Sequence, residues 1–250
     1  MRFALIPVPF VLLASSFAAS AQSAPPKPYE PVKISRPAAV TDESFVAFRA
    51  RLAAVAQHRL YAELEPLVAA RGFFWGRDFG HALDPRKPAV DNLAAAIGLE
   101  SDNGAGWQRL AEFAALPAVE PLASRPGVVC APASPQFDAV AFSKLQQTTY
   151  TDGFDWAYPR ADETTVRSAP QSNAAVVGTL GPVFVHLLGF AGDDSEPDPG
   201  RKLWAHVALA DATMGFVEPA SLLPLTAAKL CYAKDRVGGW HISGFIAGGK

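Results

Sequence analysis

The sequence predicts an α+β protein: an α-rich N-terminal host domain, completed by a C-terminal β-hairpin, with a small β-barrel inserted between them. Three observations predict it. Apolar residues recur at helical spacing between residues 41 and 115; short β-runs separated by turns begin at Thr164; and two alternating segments, 229–234 and 240–246, close the chain. The predicted division is a signal segment at 1–21, a Pro-rich leader at 22–40, the host domain at 41–163, the barrel at 164–226 and the returning hairpin at 227–250.

The N-terminus speaks to compartment. Arg2 precedes a stretch, 3–13, that is almost wholly apolar, and residues 14–21 then turn small and polar, ending on an Ala19-x-Ala21 pattern. That order is the signature of a secretory signal, with cleavage expected between Ala21 and Gln22. A membrane anchor is the alternative, but a spanning helix needs about 20 apolar residues, and this stretch is shorter and carries Pro7 and Pro9. The first cysteine is Cys130, far from the cleavage point, which argues against a lipid-attached N-terminus. The expectation is a periplasmic or secreted protein without a membrane span.

Half of the residues are hydrophobic, enough to exclude a disordered chain. Removing Arg2 from the 22 basic residues leaves 21 against 24 acidic ones, a formal charge of −3, with no basic stripe to bind nucleic acid. Five prolines (Pro25, Pro26, Pro28, Pro31 and Pro37) make the following segment an extended, semi-rigid leader rather than a packed element.

Thr41 is placed to cap the first helix, with Asp42 and Glu43 at the positive end of its dipole and Phe45, Phe48, Leu52 and Val55 on one apolar face. A second helix is read through Leu60, Leu64, Leu67 and Val68, with Pro66 in its first turn or kinking it, and Gly72 as its stop. Asp91 and Gly98 bound a third, and a fourth runs from about Gly106 to Ala115, burying Trp107, Leu110 and Phe113 or Ala114. Helices this short are marginal alone, so packing must hold them.

Between the second and third helices stand Phe73, Phe74, Trp75 and Phe79. They read more naturally as a core plug than as a cleft lining. Asp78, His81 and Asp84 have the spacing of a metal loop, but no matching ligand pair lies elsewhere, so no metal is expected.

The β-region opens on Val166-Arg167-Ser168-Ala169-Pro170, continues through 174–180 and 183–188, and passes a charged turn at 193–200. Trp204-Ala205-His206-Val207, Met214-Gly215-Phe216-Val217 and Ser221-Leu222-Leu223 complete it. This order resembles the bacterial SH3 (SH3b) family over about a quarter of the chain. In that family the repeats begin Val-Arg-x-x-Pro, continue through a Val-x-Gly-x-Leu strand and end Gly-aromatic-Val. The resemblance implies a small SH3-like barrel of five strands within a periplasmic SH3-domain-containing protein, and a binding module for cell-wall peptide or protein. It implies no proline-peptide groove, because the opening strand lacks aromatics, and no ligand-binding residue is assigned from it. Trp204 and Phe216 are groove or core candidates. Asp193, Asp194, Glu196 and Asp198 lack the ordered pattern of a calcium loop and read as a solvated turn.

The closing hairpin needs a partner sheet, and its Gly-Gly-Trp-His-Ile-Ser-Gly-Phe-Ile-Ala-Gly-Gly ending resembles that of periplasmic proteins carrying an inserted SH3-like barrel. Two cysteines in an oxidising compartment favour one disulfide, Cys130–Cys231, across the inserted barrel; the alternative is two buried free thiols. No Gly-x-Ser-x-Gly elbow, phosphate-cradling loop or His-Glu-x-x-His spacing is present, and His58, His81, His186, His206 and His241 are scattered. The functional expectation is a non-catalytic, cofactor-free envelope-binding or adaptor protein. The alternative is a periplasmic enzyme or small-ligand binder with a pocket in the host domain beside Trp75, Phe79, His81 and Trp156.

Overall fold

The computed structural model describes residues 26–76, 83–191 and 203–249, so the signal segment expected at 1–21 lies outside the described residues. After the leader comes strand β1 (Ile34–Ser35), followed by helices α1 (Glu43–His58) and α2 (Tyr61–Leu64), the latter passing into a 3-10 turn at Glu65–Leu67. Strand β2 (Phe74–Gly76) precedes α3 (Ala89–Ile97) and α4 (Ala105–Ala115). Strands β3 (Glu120–Pro121), β4 (Val128–Ala131) and β5 (Gln136–Phe137) lead to α5 (Ala139–Thr149). Then come β6 (Trp156–Pro159), β7 (Thr164–Arg167), β8 (Val176–Leu180), β9 (Val185–Ala191), β10 (Trp204–Ala208), β11 (Met214–Val217) and β12 (Leu222–Pro224). The hairpin β13 (Lys229–Lys234) and β14 (Trp240–Ile246) ends the described chain.

These strands form a seven-stranded antiparallel sheet in the order β12-β6-β9-β10-β11-β7-β8, and a mixed five-stranded sheet in the order β2-β14-β13-β4-β3. A third, two-stranded ladder pairs β1 with β5. The fold is therefore β-rich, which corrects the expectation of an α-rich host domain carrying a small five-stranded SH3-like barrel. Strands β2 to β6 all fall in the span 41–163 expected to be α-rich, and β6, from outside 164–226, inserts between β12 and β9. The physical reason lies in β6 itself. All four of its residues are buried: Ala157 faces one core while Trp156 and Tyr158 face another. A strand buried on both faces shows no polar alternation.

The helical readings fare better locally. Phe45, Phe48, Leu52 and Val55 are all buried on α1, although the cap is Asp42 rather than Thr41: its Oδ1 accepts from the backbone N–H of Ser44 (2.9 Å) and of Phe45 (3.2 Å). Helix α3 ends on Gly98 in the left-handed region (φ 73°), and its Asp91 sits in the first turn, not at the cap. Against α1 to α4 pack Leu230, Tyr232, Ile242 and Phe245 of the hairpin strands, forming the first core. Arg49 of α1 donates through Nη1 to the carbonyls of Ala114 and Leu116, satisfying the C-terminal end of α4.

A second core lies within the seven-stranded sheet, around Val166, Val185, Val207 and Val217. A third joins Trp156, Tyr158 and Phe184 to Phe142 and Leu145 of α5 and to Val32 and Ile34. The Pro-rich leader is thus extended and also packed. Tyr29 donates its N–H to Ala210 O (2.8 Å) and its hydroxyl to Ala208 O (3.0 Å), and its ring meets Trp156 edge-on at 5.2 Å. Among the described residues no helix is long and apolar enough to cross a membrane.

Cys130 of β4 and Cys231 of β13 face each other in register and are joined by a disulfide. The bond ties two neighbouring strands of the five-stranded sheet, and the intervening 101-residue separation contains the whole seven-stranded sheet.

Candidate functional site

The site builds outward from the point where β6 runs out. Arg160 follows Pro159, donates its N–H to Ser221 O (2.9 Å) and reaches Ala220 O with Nη1 (3.3 Å). It thereby pins the 3-10 turn Pro219–Ser221 to the end of the sheet. On the far side Arg167 of β7 donates through Nη1 to Ala174 O (2.8 Å), fixing its guanidinium along the strand. These arginines line a groove of about 500 Å³, with Glu163, Glu218 and Trp204 also in its lining. Thr164 is buried beneath it, and its Oγ1 has no hydrogen-bond partner among the described residues.

The chemistry of this groove is that of a receptor for a polar, extended segment. Two arginines and two glutamates line it, so neither a strongly acidic nor a strongly basic ligand is favoured. Its volume falls within the range of about 300–1,000 Å³ typical of ligand sites. The unpaired, buried hydroxyl of Thr164 beneath the groove costs about 1–3 kcal/mol.

Of the four residues expected beside a host-domain pocket, Trp75 and Trp156 lie at different cores. Trp75 packs against the first core, and Trp156 is fully buried in the third, donating Nε1–H to Thr151 Oγ1 (2.8 Å). Phe79, His81 and Asp78 lie outside the described residues, as do Asp193, Asp194, Glu196 and Asp198. Asp84 is turned to its own loop: Arg86 donates Nε–H to Oδ1 and Nη2–H to Oδ2, each at 3.0 Å, and this pairing holds the carboxyl below its ordinary range. Among the described residues no three His, Cys, Asp or Glu side chains group as metal ligands. His186 stacks on Trp156 and His206 on Phe216, while His241 turns to Gly239 O through Nδ1 and His58 sits in the last turn of α1. Trp204 thus lines the groove, and Phe216 is half-buried outside its lining.

Sequence reading missed Arg160, Glu163 and Glu218. Glu163 adjoins a recognisable strand start, but nothing local to Arg160 or Glu218 signals that they meet. Compared with protein-family models, with curated proteins and with solved structures, the chain shows no significant match.

Proposed function

We propose that the protein is an exported, non-catalytic binding or adaptor protein of the cell envelope, which holds an extended segment of cell-wall peptide or envelope protein in the groove between Arg160 and Arg167. The observation that carries this reading is the groove's balanced lining, Arg160 and Arg167 against Glu163 and Glu218, over the unpaired Thr164 hydroxyl. A peptide bearing both amines and carboxylates, as cell-wall stems do, complements such a lining at both signs. Two sequence features support it: the signal-like start ending at Ala21, and the motif order over 164–225 that resembles bacterial SH3 binding modules.

The test is co-sedimentation of the mature chain with purified peptidoglycan and titration with its soluble stem peptides. Arg167→Gln and Glu163→Gln should each weaken binding about tenfold, the scale of one charged hydrogen bond. N-terminal sequencing of the native protein should begin at Gln22. Undiminished binding by both variants would remove the groove, and an intact Met1 would remove the export.

A further inference from the structure

A second concavity lies where the helical layer meets the seven-stranded sheet, and it has a different chemistry. Two adjoining hollows, of about 180 Å³ and about 100 Å³, share Leu116, Pro132, Arg160 and Leu223. The first is bordered by Arg109 of α4 and the second by Arg36 of the leader. Three arginines therefore line an apolar floor, with one carboxylate, Glu112, in the lining. Arg36 is held on one side by Asp162, whose side chain is 87% exposed; on the other side its Nη1 is buried and has no acceptor among the described residues. Arg109 and Arg160 each spend one nitrogen on a backbone carbonyl, of Ile97 and Ala220 respectively.

We propose that this seam captures the C-terminal residue of a peptide, with an apolar side chain on the Leu116–Pro132–Leu223 floor and the free carboxylate against Arg36, Arg109 and Arg160. The charge argument selects an anion. Guanidinium groups present paired donors that match a planar carboxylate. The apolar floor selects a ligand with a hydrophobic group beside that anion. Size selects an end rather than a whole ligand, because each hollow is below the roughly 300 Å³ at which drug-sized sites begin. The seam and the groove share only Arg160; Arg36 and Arg109 line the seam alone, and Arg167, Glu163 and Glu218 line the groove alone.

The experiment uses the full mature chain and three probes: N-acetyl-Ala-Leu as the free acid, the same dipeptide as its C-terminal amide, and hexanoate, followed by titration calorimetry. The free acid should bind at least tenfold more tightly than the amide. Arg109→Gln and Arg36→Gln should each lose about tenfold, with melting temperatures recorded to show that both remain folded. Arg167→Gln, which borders only the groove, should bind the dipeptide as the parent does. Equal affinity for acid and amide overturns the proposal, as does retained binding in both folded arginine variants or no binding of the acid at all. Hexanoate binding as tightly as the dipeptide overturns the peptide assignment and makes the seam a fatty-acid site.

Discussion

His186 and His206 show how burial sets charge one residue at a time. Each ring lies flat on an aromatic neighbour, Trp156 at 5.2 Å and Phe216 at 4.8 Å. Burial holds both below the ordinary histidine range; at His186 the nearby Asp155 carboxylate opposes this without reversing it. Both are thus neutral in the fold at a pH where the unfolded chain begins to take up protons. As pH falls through about 6.5, the unfolded state binds protons first, and stability is lost from there down toward the depressed folded values. Melting followed from about pH 7.5 to about pH 5.5 should show a falling midpoint. The His186→Gln/His206→Gln variant should give a flatter profile. An equally steep one would place the loss elsewhere. Asp84, Asp211 and Asp235, which are also held low, act only at more acid pH.

At the scale of elements, the contact between α3 and α4 depends on a side chain that is missing. A Cβ placed on Gly106 would sit 2.2 Å from the carbonyl oxygen of Gly98, where α3 ends. That neighbour is backbone, so it cannot rotate away. Gly106→Ala should therefore cost about 1–3 kcal/mol, the usual price of overpacking, although alanine is the better helix former. Urea unfolding measures this directly, and a stabilised variant would show that α4 can slide. Asn92 holds the same corner: it is buried, accepts from Asp84 N–H (2.8 Å) and donates to the carbonyls of Asp84 (2.9 Å) and Pro88 (3.1 Å). Helices α1 and α4 were legible because four or more apolar residues mark one face of each. Helix α5 escaped the sequence reading because it buries only Phe142 and Leu145, too few to set a period, although Asp138 caps it with bonds of 2.8 and 3.0 Å.

Across the whole molecule the disulfide is the longest covalent constraint. Cys130 and Cys231 are buried, and no free cysteine remains. Closing a loop of about 100 residues stabilises by about 4–5 kcal/mol on the chain-entropy model. The Cys130→Ala/Cys231→Ala variant should lose about 4 kcal/mol in urea unfolding, and denatured, unreduced parent protein should titrate no thiol. Two titratable thiols, or a variant as stable as the parent, would contradict the cross-link. Because the loop holds the seven-stranded sheet, loss of the bond should free that sheet and the helical layer to unfold in separate steps.

What the amino-acid order determines here is local. Apolar periodicity places α1 and α4, alternation places β13 and β14, and the two cysteines fall in strand-like segments, since each signal needs only neighbours a few residues apart. Which strands become partners was left to the tertiary structure. Pairing joins segments distant in sequence, and strands of two to four residues, such as β1, β3 and β6, are too short to carry a period. That is why a small barrel was expected where β6 completes a seven-stranded sheet. The same holds for the candidate sites: Arg36, Arg109 and Arg160 belong to a leader, a helix and a strand end, and only the packing of those three elements brings their charges to one seam.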